Sequence, residues 1–185
     1  DLDRKFPADA SESRVRTVAH AAALLRVRRP DLFAIMNEIG QGFLDAFGAQ
    51  HAELLKRVQD ALAVSFARMA TRHGSWGNDL HEYHNEMHSL ELLNGRLARV
   101  RLQLGWHALE YDDWLLLALF STCHDLRQRE AADFWHDIGA NERASIAETF
   151  RLLDQVGFSR DRDGEFYLRL GLMIAGSTFD ARPAA

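Results

Sequence analysis

Apolar residues recur at intervals of three and four along most of the chain, the spacing that lines one face of an α-helix. Val15, Val18, Ala22 and Leu25 mark a first helix reaching Val27. Pro30 suits a first helical turn, and Leu32, Phe33, Met36, Ile39, Phe43 and Phe47 carry a second helix to a stop at Gly48. Leu54, Leu55, Val58, Leu62, Val64 and Phe66 carry a third to Met69, after which His73-Gly-Ser-Trp-Gly-Asn-Asp79 supplies glycines and a capping aspartate. The pattern then predicts a helix from about Leu80 to Leu104, broken by Gly105. From Trp114 to Cys123 the residues are almost all apolar, as in a helix buried around most of its circumference. A helix from Asn141 to Leu153 or beyond and another from Phe166 to about Ser177 bring the expected number to roughly seven. No run sustains period-two alternation, so the fold class is all-α. Residues 1–12, polar and short of apolar positions, are expected to be a tail, with one helical domain over 13–180.

Composition narrows the partners. With 47% hydrophobic residues, a chain of 185 can bury one substantial core. The formal charge of −5 is spread over interspersed acids and bases and provides no field to hold a nucleic-acid backbone. Arg26, Arg28 and Arg29, with Arg14 and Arg16 upstream, read as a solvated helix face without assigned function. A single cysteine, Cys123, excludes an internal disulfide and reads as a small core residue. No apolar run reaches the length of about 18 residues that crosses a bilayer, and no signal peptide is visible. A cytoplasmic protein without membrane or nucleic-acid partners is expected; oligomeric state is open.

Two segments carry chemistry. His81, His84 and His88 lie in Leu80-His-Glu-Tyr-His-Asn-Glu-Met-His88, where offsets of three, four and seven would align them on one face of the predicted helix. Imidazole is the commonest side-chain metal ligand, and three in a row add little to a core. His124-Asp125 follows directly on the apolar run, and an ionisable pair at the end of a buried helix needs a partner or a metal. A neutral imidazole and a carboxylate are good ligands for Zn²⁺, Mn²⁺ or Fe. His136-Asp137 is a second such dipeptide, but it lies in a polar loop and reads as a surface or outer pair. His20, His51, His73 and His107 are isolated.

Tyr83-His84-Asn85-x-x-His88, followed by Leu117-Ala-Leu-Phe-Ser-Thr-Cys-His124-Asp125, resembles the HD-domain metal-dependent phosphohydrolases, including the cyclic nucleotide phosphodiesterases, in order and separation. Gly139-Ala-Asn141-Glu142-Arg-Ala-Ser145 is similar to a helix start in small bacterial HD proteins, and Ile174-Ala-Gly-Ser-Thr178 to their terminal helix, so the resemblance covers about residues 80–180. It implies an HD-type helical domain in which His88, His124 and Asp125 hold a divalent metal. Mn, Zn, Fe, Mg, Ni and Co are not distinguished. His84 would be the general acid, Asn85 would help fix the geometry, and Asn141, Glu142 and Thr178 would be further pocket residues. The family pattern asks for one more aspartate; Thr178 stands about there, and the ligand is Asp180, an aspartate beyond Ala185, or missing. Glu142 or Glu86 is a candidate to orient a water, and Trp76, Phe134 and Trp135 are candidates to stack on a base. The implied function is hydrolysis of a phosphoester, a nucleotide or cyclic nucleotide; the alternative is a catalytically degenerate HD domain that binds a ligand or partner.

Overall fold

The computed structural model describes residues 1–128, 130 and 137–178. Among them there are helices and no strand, so the all-α class read from the periodicity holds. The chain forms α1 (Leu2–Lys5), α2 (Ala10–Arg14), α3 (Val18–Arg28), α4 (Pro30–Phe47), α5 (Ala52–Arg72), α6 (Glu86–Leu90), α7 (Leu97–Leu104), α8 (Tyr111–Cys123), α9 (Ala140–Gln155) and α10 (Gly164–Gly176). A π turn over Glu91–Arg96 joins α6 to α7. No helix of the described residues is long and apolar enough to cross a membrane.

The domain is built around α5, in which every residue from Ala61 to Ala70 is buried. A helix buried on all sides needs neighbours all round, and α3, α8, α9 and α2 supply them. Alanines at 61, 63, 67 and 70 let those neighbours approach closely. The apolar run of α8 packs on α5, and their buried polar groups meet where Ser65 donates to the Thr122 hydroxyl at 2.8 Å. Cys123 is fully buried here, and burial pushes its thiol up to about 11, as expected of a core cysteine.

The first twelve residues are not a tail. Asp1 and Asp9 cap α1 and α2, and Phe6 is buried against Ala144 and Ala147 of α9. Acidic side chains of this segment then meet arginines from the core. Arg72 contacts Asp9 at 2.6 Å and Glu148 at 2.8 Å, and Arg151 contacts Glu12 at 2.6 Å and Asp3 at 2.7 Å. Arg68, inside α5, reaches the Val15 carbonyl and the Gln155 side chain. Burial works to raise the Asp9 pKa, but the hydrogen bond and charge of Arg72 outweigh it and hold the carboxyl well below its usual range. Asp9, Glu12 and Glu148 are close enough together to hold an ion, yet guanidinium groups already neutralise them. We read this cluster as an ion-pair lock between the N-terminal segment, α5 and α9. Pairing between residues this far apart in sequence has no periodicity, which is why the segment reads as a tail.

Removing one member of a buried ionic group leaves its partners uncompensated. Arg72→Met is therefore expected to lower the unfolding free energy in urea by about 3–5 kcal/mol. A loss within the scatter of surface substitutions would show that the lock contributes nothing.

Candidate metal centre

His124 and Asp125 follow directly on α8. The His124 N–H still bonds the Phe120 carbonyl at 3.1 Å, so the helical path continues into the pair and keeps both residues buried. The His124 ring stacks on Phe120, and its Nδ1 lies 2.9 Å from the Phe120 carbonyl oxygen. A carbonyl only accepts, so Nδ1 carries a proton and donates it there. Nε2 then faces Asp125 Oδ2 at 3.0 Å. Two lone pairs cannot meet at that distance unless a proton or a shared cation lies between them.

The second strand of the site comes from 80–90, and here the structure corrects the sequence reading. The helix expected from Leu80 begins at Glu86, so His81, His84 and His88 do not share a helix face. Asn85 adopts an extended backbone, and its Oδ1 accepts from Met87 N at 2.9 Å and His88 N at 3.4 Å. A short amide side chain that bonds the first free N–H groups starts a helix there and ends it in the other direction. Its Nδ2 donates back to the His81 carbonyl at 2.8 Å, while His81 Nδ1 accepts from His84 N at 3.1 Å. Asn85 thus fixes the geometry around His84. The turn still brings His84 and His88 together, with ring centroids 6.1 Å apart, and exposed Tyr83 lies 4.3 Å from the His88 ring.

All of these converge on one atom. Asp125 Oδ2 lies 2.8 Å from His84 Nδ1, 3.0 Å from His124 Nε2 and 3.8 Å from His88 Nε2. One ligand atom from each of His88, His124 and Asp125 lies within 4.8 Å of the other two. Nitrogen and oxygen ligands about 2.0–2.2 Å from a common ion stand roughly 3–4 Å apart, so the donor set fits a divalent metal. The charges agree. Burial works to raise the Asp125 pKa, but the hydrogen bonds and charges of His124 and His84 hold it below the usual carboxylate range. Burial depresses the pKa of His88 and favours its neutral imidazole, whereas the bond to Asp125 outweighs burial and raises His84, with help from the charge of Glu142.

The other oxygen of Asp125 is held from behind. Gln128 Nε2 donates to Asp125 Oδ1 at 3.1 Å, Asn141 Nδ2 donates to Gln128 Oε1 at 3.1 Å, and Asn141 Oδ1 accepts from Glu130 N at 2.9 Å. Among the described residues Asn141 therefore reaches the site through Gln128, a residue the sequence reading did not single out. Its one local signal is its position three residues after Asp125, in the turn that ends α8.

The remaining candidates lie elsewhere. Thr178 turns its hydroxyl back onto the Ala175 carbonyl at 2.8 Å and lies beside Gly139. Glu86 is buried and takes the backbone N–H of Ser75 at 3.0 Å, pinning the 73–79 loop to α6. Trp76, of that loop, lies under the Arg28 guanidinium. Asp180, Phe134, Trp135 and His136 fall outside the described residues.

No family model matches the chain, and no curated protein or solved structure matches it.

Support of a ligand from behind is typically worth roughly 10- to 100-fold in metal affinity. Gln128→Ala is expected to weaken Zn²⁺ or Mn²⁺ binding, measured by calorimetry, by that factor with the helical circular dichroism unchanged. Unaltered affinity would show that Asp125 needs no such support.

Proposed function

We propose that the chain is a metal-dependent phosphohydrolase acting on a phosphoester, a nucleotide or cyclic nucleotide. The observation that carries the reading is the convergence of His88, His124 and Asp125, which offer one ligand atom each within 4.8 Å of the other two, with His84 bonded to the same carboxylate. The resemblance of the same residues to HD-domain phosphohydrolases supports it. A cytoplasmic location and a small-molecule substrate belong to this reading.

His88, His124 and Asp125 would hold the ion, with the fourth protein position assigned to Asp180. A divalent metal bound there supplies a Lewis acid that polarises a phosphoryl oxygen. The chain's own residues do the rest. Asp125 holds Nδ1 of His84, whose ring is partly exposed and whose Nε2 would face the substrate. The same bond, with the charge of Glu142, favours the protonated imidazole, which would donate its Nε2 proton to the leaving oxygen as a water attacks phosphorus and gives its own proton to solvent. Asn85 keeps the His84 backbone in place, and the Gln128–Asn141 pair keeps Asp125 from rotating.

One observation favours a second reading. At the position where the resemblance asks for an aspartate, the Thr178 hydroxyl is turned onto its own helix. This fits a catalytically degenerate domain that keeps the cluster to bind a ligand or partner.

General-acid help is worth about 10²- to 10⁴-fold. His84→Ala is expected to lower kcat on a cyclic nucleotide, whose leaving oxygen is a poor alkoxide leaving group, by about that factor while the protein still binds Mn²⁺. Absence of metal-stimulated hydrolysis in the wild type, together with tight metal binding, would replace the enzyme by the binding domain.

A further inference from the structure

The basic residues of the N-terminal third, which the sequence alone gave no reason to assign, separate in the structure. Arg29 pairs with Asp31 at 2.9 Å, Arg26 lies over the Phe33 ring, and Arg16 donates to the Ser13 carbonyl. Arg14 and Arg28 have no carboxylate partner among the described residues. Instead they meet. Arg14 closes α2 and Arg28 closes α3, and with His20, Leu24, Thr71, Val15 and Trp76 they line a concavity of about 280 Å³.

We propose that this concavity is a binding pocket for a small aromatic anion, a carboxylate or phosphate borne on one ring. Charge favours the anion. Most of the chain's guanidinium groups are neutralised locally, as in Arg57–Asp163, Arg72–Asp9, Arg151–Glu12 and Arg169–Asp112. At this pocket two arginines and a histidine line one open concavity with no acid among its lining residues, in a chain whose formal charge is −5. A guanidinium presents its N–H groups as a planar fork that matches a carboxylate or phosphate.

The aromatic and apolar wall favours the ring. Trp76 is half-buried, with the Arg28 guanidinium 5.3 Å from its ring centroid, so the cation and the aromatic face are held together before any ligand arrives. The indole is fixed by its own backbone, whose N–H bonds the Ala70 carbonyl at 2.9 Å at the end of α5. Val15, fully buried, and Leu24 complete the apolar side. The volume lies just under the range of about 300–1,000 Å³ typical of drug-sized ligands, which suits one ring with its acid and not a dinucleotide. None of His84, His88, His124 and Asp125 lines the pocket, and the inference does not rest on the metal reading.

The test is calorimetric titration of the full chain in EDTA with phenyl phosphate, benzoate and inorganic phosphate, repeated with Arg14→Gln and Arg28→Gln. At least one aromatic anion is expected to bind one to one. Each substitution, at an exposed position, should weaken it by about tenfold or more, as loss of a charge-assisted hydrogen bond does. Inorganic phosphate should bind at least about tenfold more weakly than the preferred aromatic anion. Tighter binding of phenyl phosphate or of benzoate tells which acid the arginines take. No saturable binding up to about 10 mM, equal affinity in both variants, or inorganic phosphate binding as tightly as the aromatic anions would each overturn the proposal and leave Arg14 and Arg28 as solvated helix-end cations.

Discussion

A single buried carboxylate oxygen, Oδ2 of Asp125, faces imidazole nitrogens of His84, His124 and His88. A charge removed from water in this way is costly unless positive charge or a metal compensates it and hydrogen bonds hold it in place. Much of the local structure follows from meeting that condition. Asp125 must lie at the end of a buried helix, which the apolar run of α8 provides. His84 and His88 must come to it from a turn and a helix start, which Asn85 provides by capping α6. Its second oxygen must be tied down, which Gln128 does with Asn141 behind it.

A second set of buried charges lies at the other end of the same packing problem. Arg68 and Arg72 belong to α5, the helix buried against α3, α8 and α9, and their partners come from α2 and α9 and from the loop before α2. This lock and the candidate centre share their framework: α9 carries both Glu148 and Asn141, and Arg72 also donates to the carbonyl of Leu126, next to Asp125. The two ionic clusters differ in one respect that decides their chemistry. Carboxylates of the lock meet guanidinium groups, which stay protonated and exclude an ion, whereas Asp125 meets imidazoles, which can surrender a proton and coordinate one.

Periodicity made the long elements legible. The stripes of α4 and α5 and the apolar run of α8 lie within a few residues of where the pattern predicts them, because those helices are held by the burial that the pattern records. The His-Asp pair was legible for the same reason, as the abrupt end of a buried run. What periodicity missed was held by polar contacts. The helix expected from Leu80 begins at Glu86 because Asn85 bonds the backbone. The first twelve residues fold because Asp3, Asp9 and Glu12 meet distant arginines. Gln128 enters the site by a side-chain bond to a residue three positions away, and Arg14 and Arg28, at two helix ends, line one concavity. Hydrophobic periodicity announces none of these.

The central claim is that the buried cluster at Asp125 is made to hold a metal ion and not only to bury a proton between two side chains. Metal content of the purified protein, read by elemental mass spectrometry beside a His124→Ala, Asp125→Ala variant, tests it most directly. The account predicts about one divalent transition metal per chain, as a three-ligand protein site holds, present after exposure to Mn²⁺, Zn²⁺ or Fe²⁺ and lost in the variant. Equal, negligible metal in both proteins after that exposure would contradict it.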